Sequence, residues 1–422
     1  MDSYAGVSRL FAAVCHPNSG GRDSGWRLVG HAQHQATNPS IRTHLECSAS
    51  RARSSSAERA SDPAAATCGP GPIDAVYTWV DGSDPVWQER KRAALQRLGL
   101  PASSPSNRAN RFANHDELRY SLRALETNMP WIRHIHILTD GQRPTWLNTD
   151  HPRIRLTDHR AFFRDAGHLP CFNSLAIEAN LRLVPGLAEH FIYFNDDMLI
   201  NRPLGAETFF AADGRPRLFV FPKLSYALEH AASRFAAPLV RWIQRYQATW
   251  WLRHKASRRP PFSAALRHTQ LVLLQRSDHP IRRFKTHHTP IPLTLSLLDS
   301  IERAYPAEYA ATSSHAFRSA QDLYFPDLYA THGITAGLAL PSWRRRSELL
   351  YFHLGRDDVR DLLTVGPGSH TFVNIDDASE HTSSDSSTLS AALHRLFPTP
   401  APFEHVDPSV NPGSGDFSSR AG

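Results

Sequence analysis

Apolar residues in this chain come as short unbroken runs that alternate with stretches of helical period. Pro72 to Val80 predicts a strand, and the Asp81-Gly82-Ser83-Asp84-Pro85 that follows predicts a turn leading into a helix. Asp84 suits the N-cap, Pro85 suits the first helical position, and the helix should run to about Leu98. From Asp116 to Asn128, Leu118, Leu122 and Leu125 fall on one face of an amphipathic helix. Ile135 to Leu138 predicts the next strand, Arg153 to Leu156 a short one, and Asn173 to Val184 a helix. Phe191 to Phe194 is apolar and aromatic throughout, as expected of a strand in the middle of a sheet.

That order is strand, helix, strand, strand, helix, strand. It predicts an α/β fold with a mostly parallel, Rossmann-like sheet flanked by helices. Asp81, Asp140 and Asp196 each follow a strand and should line one edge of the sheet. Between about residues 203 and 286 the pattern is mostly helical, as for an insertion, and a helix is expected again from Leu293 to Tyr305. The last elements are expected around Leu349 to His353, Thr371 to Ile375 and Ser387 to Phe397. Residues 1–71 and 406–422 are rich in Ser, Ala, Gly and Arg without sustained period and read as disordered tails around a folded region, 72–405.

Composition changes this picture little. With 41% hydrophobic residues over 422 positions, the folded part can build a substantial core. The net charge of +7 suits an anionic substrate or an acidic membrane surface. No Lys/Arg run with interleaved aromatics suggests a nucleic-acid module, so nucleic acid is not an expected partner. Of four cysteines only Cys171 lies in the folded region, a usage that fits a reducing compartment. No stretch approaches the roughly 18–20 apolar residues of a spanning helix. The expectation is a cytoplasmic protein whose basic surface leaves room for peripheral contact with a membrane's inner face. The sequence carries no signature of a particular oligomeric state.

The chemistry concentrates at Asn195-Asp196-Asp197, where the aromatic strand ends in adjacent carboxylates. In open α/β sheets ligands bind at the carboxyl ends of strands. Two acids there suit a hard divalent cation that also grips a diphosphate, although acids after a strand also form simple Asx turns.

Taken together, these segments resemble the Stealth family of sugar-phosphate transferases, which includes bacterial capsule-polymer phosphotransferases. The residues that carry the resemblance begin with Ile73 to Asp84. They continue through Asp116 to Arg123, Pro130 to Arg133, Thr139 to Gln142, Leu169 to Ser174, and Asn195 to Asp197. Further along come His288-Thr289-Pro290, Phe317-Arg318-Ser319, and a weaker block over Phe372 to Asp377 and Phe397 to Glu404. Cys171 stands where the family usually has threonine, and Asp376 departs from a usual Asn-Asp pair.

The resemblance implies a glycosyltransferase-A-like mixed sheet. It also implies transfer of a sugar-1-phosphate from a nucleotide-sugar donor, such as a UDP-sugar, to the hydroxyl of a glycan or sugar acceptor in cell-surface or exopolysaccharide synthesis. A metal-dependent glycosyltransferase that releases the nucleoside diphosphate is the alternative. Under the resemblance Asp196 and Asp197 would hold Mg2+ or Mn2+, with Asp377 a further ligand or else a solvated turn acid. Arg318 would clamp phosphate, since a guanidinium matches its oxygens bidentately and keeps its charge. His288 would be the general base, with His287 and Asp116 as competing candidates. Asp74, Trp79, Asp81 and Asp84 would lie at the donor site, Trp79 being equally suited to the core. Asn173, Ser174 and Glu178 would bring a helix start toward an anion, with plain capping as the rival role.

Overall fold

The two apolar runs lie side by side. Strand β1 (Ile73–Thr78) pairs in parallel with β4 (His190–Asn195), in register from Ile73 opposite His190 to Thr78 opposite Asn195. On the other side of β1 come β2 (Ile135–Thr139) and β3 (Ile154–Asp158), both parallel, while β7 (Ile291–Thr294) closes the far edge antiparallel to β4. The order β3-β2-β1-β4-β7 gives the mixed Rossmann-like sheet that the element order predicts. The structure is a computed structural model that describes residues 70–102, 107, 109–255, 261–377 and 383–405. The tails expected at 1–71 and 406–422 lie outside those residues, Pro70 and Gly71 apart.

Pleating explains why β1 and β4 read as unbroken apolar runs: both faces of the sheet are covered. Ala75, Tyr77, Ile192 and Phe194 pack into one core, and Val76, Phe191 and Tyr193 into the other. Tyr77 and Phe194 stack at 4.8 Å between ring centres. Side chains buried this fully contribute about 1.5–3 kcal/mol each.

Among the described residues the helices are α1 (Pro85–Arg97), α2 (Glu117–Asn128), α3 (Ser174–Glu178), α4 (Leu224–Lys255, kinked at Ala236), α5 (Pro261–Gln275), α6 (Leu295–Ala304), α7 (Pro306–Ser314), α8 (Phe325–Thr335) and α9 (Ser383–Leu396). Helix α1 starts as expected, with the Asp84 carboxylate accepting from Val86 N–H at 2.8 Å and Pro85 in the first turn. Helix α3 is shorter than the period suggests. The Asn180 side chain takes the Ala176 carbonyl at 2.9 Å, and its own N–H turns to Ile177 O instead. The chain continues as a 3-10 turn over Leu181–Leu183.

A smaller sheet, β5 (Met198–Ile200), β10 (Phe372–Asp377) and β9 (Leu349–Leu354), sits beyond α2. Leu118, Leu122 and Leu125 of α2 face the core under Tyr77 and Phe194, whereas Tyr120 and Ala124 face the core of the smaller sheet. The buried Arg123 of α2 meets Glu404 with Nε at 2.6 Å and Nη2 at 2.7 Å, and Arg119 joins at 2.7 Å. This fastens the chain after α9 to α2. The stretch from 203 to 286 is mostly helical, as read, but it also holds β6 (Arg217–Val220), which pairs in parallel with β8 (Leu340–Trp343). Among the described residues no helix is long and apolar enough to cross a membrane.

Candidate active site

Between β4 and β5 the chain has only Asp196 and Asp197, which form the turn from the large sheet to the small one. The backbone places this turn against β10, where Ile375 N–H donates to Asp197 O at 3.2 Å and Asn374 lies opposite Met198. His288 comes in from the segment before β7. Its Nε2 lies 3.0 and 3.1 Å from the two Asp197 oxygens and 3.2 Å from Asn195 Nδ2. The Asn374 side-chain amide donates to the His288 carbonyl and fixes the loop. Burial works against the imidazolium of His288, but the charge and hydrogen bond of Asp197 outweigh it and raise its pKa. His287 points elsewhere, against the Phe221 ring and Arg346.

Acids crowd the other side of the turn. Burial, then the charges of Asp197 and Glu117, push Asp196 well above the usual carboxylate range. Glu117, in the first turn of α2, is raised mainly by its own burial and further by Asp197, with His115 opposing. His115 Nε2 reaches Asp377 Oδ2 at 3.4 Å, and that contact raises the imidazole against the effect of burial. Asp376 turns to His353 instead, at 3.2 Å. A hard divalent cation, whose oxygen ligands these residue types are, would relieve the crowding of Asp196 by Asp197 and Glu117.

A cavity of about 170 Å³ opens on the same turn, lined among others by Thr78, Trp79, Arg111, Asp140, Ser174, Asn195, Asp196 and Arg318. Arg318 lies over Phe262, its guanidinium carbon 3.7 Å from the ring centre, and its Nη2 donates to Ser174 Oγ at 2.9 Å. Its Nη1 is buried without a hydrogen-bond partner. Arg111 approaches the same ring at 5.3 Å. Two planar cations thus share one aromatic ring beside an acid turn, an arrangement suited to a diphosphate near a cation.

The edge expected from the strand ends forms in part. Asp140 and Asp196 line the cavity, while the Asp81 carboxylate accepts from Ser83 N–H and Oγ at 2.9 and 2.7 Å. Asp84 caps α1 and accepts from Gln142 at 2.9 Å. Trp79 is buried in the core and also borders the cavity. Asn173 caps α3 and donates to Asp322 at 3.0 Å.

Three expectations change. Asp74 is not at the carboxyl edge. It lies four strand residues away, about 13 Å, and is fully buried. There Arg133 grips both its oxygens at 2.8 and 2.7 Å, and His136 lies at 3.3 Å. Its ligand atoms cluster with those of His134 and His136, but Arg133 already neutralises it. Glu178 ends α3 inside the core, where burial pushes its carboxyl up to about 8 while Tyr329 opposes. Asp116 is exposed, holds a left-handed φ of 64° and makes no side-chain cap bond.

The residues that pattern reading passed over are Arg111, His115, Glu117 and Asn374. Glu117 sits where a helix's first turn ordinarily faces water. Only its burial marks it out.

The chain is similar in sequence to known proteins. Models of Stealth protein conserved regions 1, 2 and 3 match residues 71–99, 111–218 and 287–333. The exopolysaccharide phosphotransferase SCO6023 of Streptomyces coelicolor is 39% identical over 80% of this chain and 53% of its own. The exopolysaccharide phosphotransferase CpsY of Mycobacterium tuberculosis is 32% identical over 80% of this chain and 59% of its own. The chain thus spans about half the length of these relatives. Among solved structures, galactosyltransferase LgtC with donor and acceptor sugar analogs overlays 78% of this chain and 97% of its own, at TM-score 0.35 and 10% identity. Mouse xyloside xylosyltransferase 1 overlays 72% of this chain and 98% of its own, at TM-score 0.33 and 10% identity.

Proposed function

We propose, since this chain belongs to the Stealth family, that it transfers a sugar-1-phosphate from a nucleotide-sugar, such as a UDP-sugar, to a hydroxyl of a glycan acceptor. The observation that carries the reading is the Asp196–Asp197 turn, with the His288 imidazole against Asp197 and the cavity of Arg318 and Arg111 reaching Asp196. Its relatives' names speak of exopolysaccharide phosphotransfer, and the reaction assigned here follows them.

Asp196 and Asp197 would hold Mg2+ or Mn2+, with Asp377 and Glu117 close by, and the ion would neutralise charge on the diphosphate. Arg318, braced by Phe262 and Ser174, binds phosphoryl oxygens with the Nη1 that has no protein partner. Arg111, near the same ring, binds alongside it. The acceptor oxygen bonds to the β-phosphorus while that phosphorus loses its bond to the bridging oxygen. The nucleoside monophosphate leaves with the bonding pair. With a proton on Nε2 facing Asp197, His288 offers Nδ1 to take the hydroxyl proton. Trp79 walls the donor pocket, and Ser174 positions Arg318.

A donor labelled in the β-phosphate tests this. Label in the glycan together with nucleoside monophosphate supports phosphoryl transfer. Unlabelled glycan together with nucleoside diphosphate shows cleavage at the sugar carbon, as in a glycosyltransferase, and sinks the proposal.

A further inference from the structure

Helix α4 buries one face and leaves a second apolar face in the open. Val240, Gln244 and Ala248 recur every fourth residue on the buried side, against α5. A helix with one side buried should be polar on the other. Instead, after the kink at Ala236, Leu239, Trp242 and Tyr246 follow one another outward at steps of three and four, and before it Leu224, Leu228 and Phe235 are exposed as well. Phe235 is 92% exposed and Trp242 is 62% exposed, so neither is covered by the described chain.

Charge says what could cover them. Arg234 and Arg245 stand exposed beside these apolar residues, one before the kink and one after it, and Lys223 and Arg253 stand exposed toward the ends. The single acid in the helix, Glu229, turns inward to Arg283. A second copy docked face to face would set these arginines against one another. An anionic lipid surface meets both requirements at once. Its headgroups answer the cations, and its acyl boundary takes leucine and phenylalanine, with tryptophan and tyrosine at the interface.

We infer that the outward face of α4 is a docking surface for an anionic membrane. It lies one helix away from the cavity, because α5 packs on α4 and carries the Phe262 that supports Arg318. The inference goes beyond the transfer reaction, and its test needs no turnover.

The test is co-sedimentation of the full chain with vesicles of phosphatidylcholine alone, or with roughly a quarter phosphatidylglycerol. The chain is expected to pellet with the anionic vesicles and to stay in solution with the neutral ones. Trp242→Ser combined with Tyr246→Ser should weaken partition at least about tenfold with an unchanged melting curve. Arg234→Glu combined with Arg245→Glu should abolish the preference for anionic lipid. If the serine pair melts early, Phe235→Ser replaces it, at a side chain with almost no contacts. Wild type that stays in the supernatant, or a folded serine variant that binds like wild type, overturns the proposal. So does a dimer that the serine variant dissolves in the absence of vesicle binding, which would assign the face to a second copy.

Discussion

His288 Nε2 lies 3.0 Å from one oxygen of Asp197 and 3.1 Å from the other, so the carboxylate faces the ring nitrogen squarely. The contact orients the imidazole and raises its pKa against the effect of burial. Replacing His288 by alanine should lower kcat about 10²–10⁴-fold, the usual contribution of a positioned proton acceptor. The donor KM should change little, because His288 is not among the residues that line the cavity. Steady-state kinetics with the donor varied measures the split, and a KM effect without a kcat effect would remove His288 from the chemistry.

Asp196 separates stability from function. Its half-buried carboxylate is crowded by Asp197 and Glu117. Asp196→Asn should therefore raise the Tm of the metal-free chain while turnover is lost. Wild type should gain Tm as Mg2+ or Mn2+ is added, and the variant should not. Equal metal-induced shifts in both proteins would refute the assignment of Asp196 as a ligand.

Arg318 tests the cavity. Its planar group lies on Phe262 and donates to Ser174, and lysine reproduces neither geometry. Both Arg318→Lys and Arg318→Ala should cut kcat/KM about 10²-fold or more. Arg111→Ala should raise the donor KM about tenfold. Full activity in Arg318→Lys would mean that charge alone suffices.

Much of this was legible beforehand. The strands β1 and β4 announced themselves because both of their faces are covered, and Asp84-Pro85 fixed the start of α1 through local chemistry. The turn acids are sequence neighbours of those signals, and His288 and Arg318 enter as candidates through family resemblance. What stayed hidden depends on distant contacts. Asp74 reads like any acid at a strand, and only the fold brings Arg133 and His136 to it. Glu117 and His115 gain meaning only from Asp197 and Asp377, far along the chain. Helix α3 ends early because the Asn180 side chain competes for a backbone carbonyl, which hydrophobic periodicity does not register.

Glu178 predicts a pH effect on stability. Its ordinary value of 4.5 is pushed up to about 8 by burial. Above the ordinary value the unfolded chain releases this proton while the folded chain keeps it. The unfolded state then binds fewer protons, and stability falls as pH rises through that window. Glu178→Gln should flatten the decline. Denaturant melts from pH 5 to 8 should show the variant gaining on wild type as pH rises. Parallel curves would place no titrating proton at this site.

Glu404 holds the chain after α9 to α2 through Arg123 and Arg119. Glu404→Ala leaves a buried guanidinium uncompensated and should destabilise the fold by about 3–5 kcal/mol. A loss under about 1 kcal/mol, in the range of surface pairs, would show that the pair is not effectively buried.

Two residues are the whole of the link between β4 and β5, and each strand belongs to a different sheet. Such a link has no slack. A misfit in the small sheet, even one that begins under α9, reaches Asp196 and Asp197 as a displacement rather than being absorbed along a loop. The turn thereby acts as an inspection point for assembly. A chain whose sheets sit out of true cannot gather the acids and His288, so it should fall silent instead of running slowly.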